Sequence, residues 1–153
     1  MEAPVHIAAA APADQEWCAR LMASSEPWIT LKRDLHACRI VLTRPGTELF
    51  LAKDRRTRDS IGFILIAPYG LAGSPYIASI AVAAEAQGRG VGRELMDFAE
   101  RQYHDRNHLF LLVSSFNTRA QKFYRKHGYE FIGELKNYIV LGHSELLFHK
   151  RLP

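Results

Sequence analysis

The sequence has little cysteine and no long apolar run, and both absences narrow its class. Its 153 residues include two cysteines, Cys18 and Cys38. Their spacing fits neither a CxxC redox pair nor a metal site, so we expect both to be buried. The longest apolar runs, such as residues 61–68 and 109–113, are far too short to span a bilayer. The alanine-rich residues 1–12 lack a basic residue before their apolar stretch. They are therefore predicted to form a first strand and not a signal peptide, and the protein is predicted to be cytoplasmic.

The sequence also lacks a concentrated charge of either sign. The formal net charge of +4 fits a polyanionic small ligand as well as it fits nucleic acid. The sequence has no dense lysine and arginine stripe with interleaved aromatic residues, so we do not expect it to bind nucleic acid. The basic run at residues 53–59 lies between two strand-like segments and is predicted to be a solvated turn. His104 and His108 are four residues apart, but they flank a helix break at Asn107, so we expect no metal site.

Apolar periodicity predicts one α/β (α+β) domain over residues 1–153, with the element order β-α-α-β-β-β-α-β-α-β-β. The central strand–helix–strand unit implies a right-handed crossover with parallel strands, and hairpins on either side imply a mixed sheet. A first helix is predicted between Asp14 and Pro27, a second is predicted to begin at a Thr30 cap, and residues 69–75 are predicted to form a Gly/Pro-rich link. The other predicted elements are strands at residues 5–10, 48–53, 60–67, 76–82, 108–113, 131–136 and 145–150, and helices at residues 90–102 and 119–127.

The most informative segment joins an apolar strand to an amphipathic helix through a glycine-rich turn, Gln87-Gly88-Arg89-Gly90-Val91-Gly92. The first turn of a helix has free N–H groups and a partial positive charge, and glycines let a pyrophosphate come close to the backbone. Arg89 and Arg93 add positive charge. The segment therefore predicts an anion cradle for a nucleotide-like ligand. It is not a Walker loop, which needs Gly-Lys-Ser/Thr, and it is not a GxGxxG turn, because Arg93 takes the place of the third glycine.

This turn resembles the Q/R-x-x-G-x-G/A phosphate-binding motif of GNAT acetyltransferases. Further along the chain, a second segment is similar to the family's Asn…Ala…Phe-Tyr…Gly-Phe/Tyr pattern: Asn117-Thr118-Arg119-Ala120-Gln121-Lys122-Phe123-Tyr124-Arg125-Lys126-His127-Gly128-Tyr129. Both motifs occur in the family's order, with strand and helix elements between them. Two residues depart from the family pattern: Ala84 stands where many relatives have proline, and Leu112 stands where some relatives carry a glutamate base.

The resemblance implies a GNAT-like mixed, mostly antiparallel sheet with splayed parallel central strands, flanked by about four helices. It also implies acetyl-CoA as co-substrate and direct attack by a primary amine in a ternary complex. In that mechanism the Val82 N–H polarises the acetyl carbonyl, and Tyr124 is the general acid toward the departing thiolate. The cofactor-binding residues that the resemblance implies are Ile80, Val82, Gln87, Gly88, Arg89, Gly90, Val91, Gly92, Arg93, Asn117 and Tyr124.

The sequence leaves the general base, the acceptor and the assembly open. His143 is the base candidate of most interest, because it lies in the loop between the last two strands and its ordinary pKa suits proton transfer. Residues 25–28 are expected on the acceptor side. The acceptor is a small-molecule or peptide amine, a homodimer is one assembly to test, and the alternative function is a non-catalytic CoA-binding module. The full set of base candidates is Glu48, Tyr76, His143, Glu145 and water.

Overall fold

A seven-stranded mixed sheet forms the centre of the protein in a computed structural model, which describes residues 4–153. Across the sheet the strands run in the order β1-β2-β3-β4-β5-β7-β6, and among these described strands the β4–β5 pair is parallel and the other neighbours are antiparallel. The predicted mixed, mostly antiparallel sheet is confirmed. The strands are β1 (Val5–Ala9), β2 (Glu48–Asp54), β3 (Ser60–Leu71), β4 (Ser74–Val82), β5 (His108–Ser114), β6 (Glu130–Leu135) and β7 (Glu145–Arg151).

Helices cover both faces of the sheet: α1 (Asp14–Ala23), α2 (Leu35–Leu42), α3 (Val91–Gln102) and α4 (Thr118–Lys126). On one face, α1 and α2 enclose a core that includes Phe63 and Leu65 of β3, and both cysteines are buried there without a disulfide. On the other face, α3 packs in a core that includes Ile64 and Ile66, as the alternation of side chains along a strand requires. Within residues 4–153, no helix is long and apolar enough to cross a membrane.

The second helix begins later than the sequence predicts. Asp34 caps α2 by accepting a hydrogen bond from the Ala37 N–H at 2.8 Å, so the helix begins at Leu35. Thr30 instead lies in the preceding turn, where its N–H and its hydroxyl both donate to the Glu26 carboxylate. The prediction of a Thr30 cap is therefore wrong, because a carboxylate four residues away already engages that side chain.

The predicted link at residues 69–75 is a β-hairpin. β3 continues to Leu71 and β4 begins at Ser74, and these two residues pair directly. The two turn residues, Ala72 and Gly73, have φ angles of 50° and 79°. Positive φ at both central positions matches the twist of the flanking strands, which is why a two-residue turn closes this hairpin.

The central strands β4 and β5 pair over a short stretch and then separate. Within the described chain their register pairs are Tyr76 with Phe110 and Ile77 with Leu111. Along its other edge β4 stays paired with β3, where Ala78 is an extra, bulged residue. A bulge bends its strand and increases the local twist, so β4 diverges from β5 beyond this point. The predicted splay of the parallel strands is confirmed, and it leaves a gap at their carboxyl ends.

Candidate active site

Two cavities lie along β4 and meet where β4 separates from β5. The first, here called the glycine cavity, has a volume of about 740 Å³ and is walled by the glycine-rich turn and the starts of α3 and α4. The second, the tyrosine cavity, has a volume of about 870 Å³, contains Tyr76 and Tyr138, and extends to β7. Residues that line both include Ile80, Asn117 and Tyr124. A ligand in one cavity would therefore contact a ligand in the other at this junction.

The glycine-rich turn presents its backbone to the glycine cavity. Gly88 and Gly90 have φ angles of 79° and 82°, and a side chain added at either would meet no atom within 4 Å. Gly90 also caps α3, whose first turn closes with a bond from the Glu94 N–H to the Gly90 carbonyl at 3.0 Å. The N–H groups of residues 91–93 precede that bond and have no helical acceptor, so they can bind an anion.

The positive charge of the glycine cavity comes from Arg93 and Arg119, which both line it. The Arg89 side chain turns outward and pairs with Asp54 at 2.8 Å, which leaves only its backbone in the turn. Hydrogen bonds from the Thr57 N–H and then from Arg89 lower the pKa of Asp54 to about 2. Sequence analysis missed Arg119, although its place in the first turn of α4 was a usable signal.

The free edge of β4 faces the gap with polar backbone groups. The Ala83 N–H donates to the Ile61 carbonyl of the β2–β3 side of the sheet at 2.8 Å. Backbone groups alternate in direction along a strand, so those of Ile80 and Val82 point to the opposite side, toward the gap. The Val82 carbonyl there accepts a hydrogen bond from the Gln87 side chain at 3.2 Å. Gln87 thus ties the glycine-rich turn to the strand, and the Val82 N–H remains a donor toward the gap.

Two residues of the second motif stand at the junction of the cavities. Asn117 caps α4 by accepting from the Ala120 N–H at 3.2 Å. Tyr124, about two turns further along the chain, is 7% exposed. Burial raises the pKa of Tyr124, and nearby Tyr76 adds to that rise, so the phenol stays protonated at neutral pH. Within residues 4–153, no hydrogen bond is found for the Tyr124 hydroxyl, and every fully buried side-chain oxygen or nitrogen has a partner. The Tyr124 hydroxyl is therefore not fully buried, and it opens to the cavity.

Two of the base candidates, Tyr76 and Glu145, line the tyrosine cavity. Glu145 is 5% exposed and its carboxylate accepts from the Ser114 hydroxyl at 2.8 Å. Burial raises the pKa of Glu145, and the Ser114 hydrogen bond and His143 oppose that rise. Burial, and then the neighbouring Glu145, raise the pKa of Tyr76 to about 12. The tyrosine cavity therefore contains a carboxyl group, that of Glu145, which ionises at a higher pH than an ordinary glutamate does.

The other two base candidates lie outside both cavities. Glu48 begins β2, which β3 separates from the gap, and its carboxylate accepts from the Tyr103 hydroxyl at 2.6 Å. His143 packs edge-on against Phe116, with ring centroids 4.8 Å apart. Its charge acts on Glu145, but its side chain does not line the tyrosine cavity.

The turn before α2 forms part of the wall between the solvent and the tyrosine cavity. Glu26, Pro27 and Trp28 line the tyrosine cavity, whereas Ser25 lines the glycine cavity and Glu26 lines both. Trp28 is only 9% exposed and also packs in the core under α1 and α2. Its role is therefore to shape the cavity from within the core.

Comparisons with known proteins match this geometry. A family model described as the Acetyltransferase (GNAT) family matches residues 12–129. A structure from Desulfovibrio desulfuricans, described as an acetyltransferase of the GNAT family, is 19% identical over 97% of this chain and 99% of its own, with a TM-score of 0.78. An aminoglycoside 6′-N-acetyltransferase in complex with coenzyme A is 15% identical over 97% and 98%, with a TM-score of 0.75.

A third similar structure is the spermidine/spermine N-acetyltransferase SpeG from Vibrio cholerae, 18% identical over 97% of this chain and 92% of its own, with a TM-score of 0.72. The search of curated proteins gives no match. At these identities the structural likeness establishes the fold, and the family rests on the match over residues 12–129.

Proposed function

The chain belongs to the GNAT family of acetyltransferases, and on that premise we propose that it is an acetyl-CoA-dependent N-acetyltransferase. It transfers the acetyl group to a primary amine by direct attack in a ternary complex. The observation that carries the proposal is the meeting of the two cavities at Tyr124. The glycine cavity offers helix-start N–H groups to a polyanion, and the tyrosine cavity offers a buried carboxyl group to an amine.

The glycine cavity fits coenzyme A from its phosphates to its thiol. The N–H groups of residues 89–93 hold the pyrophosphate, and the open space beside Gly88 and Gly90 leaves room for it. In the gap beside β4, the backbone of Ile80 pairs with the amides of the pantetheine arm. The Val82 carbonyl is held by Gln87 and its N–H faces the acetyl end of the cofactor. Asn117 uses its side-chain amide for the pantetheine end, because its oxygen already caps α4.

The residues at the junction supply the chemistry of transfer. The amine nitrogen attacks the acetyl carbonyl carbon, a C–N bond forms and the C–S bond breaks. The Val82 N–H donates to the carbonyl oxygen, where negative charge develops. The Tyr124 hydroxyl donates to the departing sulfur. Because the pKa of Tyr124 is raised, a strong hydrogen bond to the thiolate contributes more than complete proton transfer does.

Glu145 is the general base that the geometry favours. It lines the tyrosine cavity, whereas Glu48 and His143 do not. A raised carboxyl pKa brings its basicity closer to neutral pH, where a base is most effective. Glu145 receives the amine proton, directly or through a water molecule, and His143 acts on it through its charge. We propose that the enzyme is cytoplasmic and that its acceptor is a small-molecule or peptide amine. We propose no nucleic-acid or membrane partner. Sedimentation would test whether the protein forms a homodimer.

Binding and turnover test this proposal separately. Acetyl-CoA and CoA should give heat in calorimetry and raise the thermal midpoint, since a ligand of the native state stabilises it, and ATP and NAD should do so far less. Free CoA should then be released when primary amines are added. If acetyl-CoA neither binds nor shifts the midpoint, the proposal is wrong. Binding without release or hydrolysis for any amine would identify the alternative, a non-catalytic CoA-binding module.

A further inference from the structure

Two arginines in the tyrosine cavity have no carboxylate partner within residues 4–153. Arg33 and Arg44 both line the cavity, whereas the described ion pairs use Arg20, Arg39, Arg89, His127 and Lys150. An unpaired guanidinium beside an apolar wall is a favourable site for an anion, because Arg matches the planar geometry of a carboxylate. The cavity therefore offers a binding group that the acetyl-transfer chemistry does not use.

The carboxylates that line the same cavity are already engaged. The Thr30 N–H and hydroxyl both donate to Glu26, and the Ser114 hydroxyl donates to Glu145. These donors are uncharged, so they orient the two carboxylates without neutralising them. Glu145, in its buried position, suits a single amine at the reacting end.

The two arginines stand at different distances from the reacting end. Arg33 precedes α2 and Arg44 follows it, and a helix of this length is about 12 Å long. The backbones of the two arginines therefore lie at opposite ends of α2. Arg44 lies within electrostatic reach of the Tyr76 hydroxyl, which Glu145 and Tyr124 also approach. Of the two arginines, Arg44 is therefore the one that can hold an anion near the amine that is to react.

The rest of the cavity wall is mostly apolar. Its side chains come from the turn before α2, from α2 itself, from the β3–β4 hairpin and from β7, and include Trp28, Leu31, Val41, Leu71, Ile139 and Leu147. Such a wall gains free energy by covering an apolar ligand.

From these features, and on the basis of the function proposed above, we infer that the acceptor is a zwitterionic amine with an apolar body, the class to which large apolar α-amino acids belong. Its carboxylate binds Arg44, its apolar side chain contacts the cavity wall, and its amine faces Glu145 and Tyr124. The structurally similar proteins named for spermidine/spermine and for aminoglycosides act on amines that carry several positive charges. Arg33 and Arg44 would oppose the additional positive charges of such acceptors, and Glu26 would offset part of that repulsion.

A charge series with a constant apolar body tests the inference. L-phenylalanine, L-phenylalaninamide and phenethylamine, with spermidine as the polycation, are compared by the release of free CoA. L-phenylalanine should have the highest kcat/KM. In Arg44→Gln, its KM should rise by about 10- to 100-fold, the loss expected for a charge-assisted hydrogen bond, while the values for L-phenylalaninamide stay unchanged. Arg33→Gln, in the same cavity but at the far end of α2, is the matched control and should change the KM of L-phenylalanine much less.

The outcomes of this experiment distinguish a failure of the acceptor inference from a failure of the proposed acetyltransferase function. Using the ratio of L-phenylalanine to L-phenylalaninamide across variants cancels their difference in amine basicity, and an unchanged affinity for acetyl-CoA shows that each variant is folded. A preference for spermidine or phenethylamine, an unaltered ratio in Arg44→Gln, or release with none of the four amines would overturn the inference while acetyl-CoA binding still stood. A protein that binds no acetyl-CoA would instead remove the proposed function.

Discussion

The glycine cavity and the tyrosine cavity are built in different ways. Most of the residues that line the glycine cavity come from one continuous stretch, residues 80–93, whose glycine-rich turn presents its backbone, and the end of α1 and the α4 region complete the wall. The tyrosine cavity is made of side chains from the turn before α2, the β3–β4 hairpin, β5 and the β6–β7 region. A wall of backbone depends on conformation, which a local sequence pattern specifies. A wall of side chains can change one residue at a time without changing the fold.

The largest effect is expected at Tyr124, one of the residues that both cavities share. Tyr124→Phe removes one hydroxyl and almost no volume, so the protein should fold and bind acetyl-CoA normally. Its kcat should fall by about 100- to 10,000-fold, because the lost hydrogen bond belongs to the transition state. The deficit should shrink with an acetyl donor whose thiol leaves easily without a proton. Turnover at the wild-type rate would show that Tyr124 only fills space between the cavities.

A smaller loss, about 100-fold in kcat, is expected for Glu145→Gln in the tyrosine cavity. In the wild type, activity should rise with pH through the raised pKa of Glu145, since the ionised form is the base. That limb should be absent in Glu145→Gln. His143→Gln is the matched control, because it changes the charge beside Glu145 and should shift the limb and not remove it. A limb that survives in Glu145→Gln would point to another base.

The same substitution has a stability consequence with a defined sign. The folded pKa of Glu145 lies above its ordinary value of 4.5, so the folded state binds more protons than the unfolded chain between these two values. The contribution of Glu145 to stability therefore falls as pH rises through that window. Glu145→Gln should be at least as stable as the wild type at neutral pH, as measured by urea unfolding.

The smallest of the three effects, roughly tenfold in the Kd for CoA, is expected for Gly90→Val in the glycine cavity. The valine would occupy the open space beside the turn, at a φ of 82° that a β-branched residue rarely adopts. Gly46→Val is the matched control, since Gly46 has a φ of 79° and equally open surroundings but lies outside both cavities. Equal losses of CoA affinity in the two variants would mean that backbone strain, and not a blocked phosphate site, is responsible.

The sequence was a good guide wherever function depends on consecutive residues. The order of the elements, the glycine-rich turn and the residues at its junction with α4 follow from periodicity and two motifs. The direction of the Arg89 side chain does not, because its partner Asp54 ends a strand that is distant in sequence. The identity of the general base likewise depends on long-range packing. The order of the strands places Glu48 away from the gap between β4 and β5 and places Glu145 next to Ser114. For the same reason Arg33 and Arg44, in segments without a motif, attract no notice in the sequence.

The short pairing of β4 with β5 makes the sheet a structure of two leaves. One leaf is β1 to β4 and the other is β5, β7 and β6, and each is a continuous antiparallel ladder. Two register pairs and the packed helices join them, so local opening at the join breaks few interactions and should need less free energy than global unfolding. A cofactor arm that pairs with the free edge of β4 would add hydrogen bonds at the junction of β4 and β5, where the sheet is held together most weakly. The lifetime of this protein in a cell would then depend on its supply of co-substrate, with empty molecules opening, and reaching proteases, more often than loaded ones.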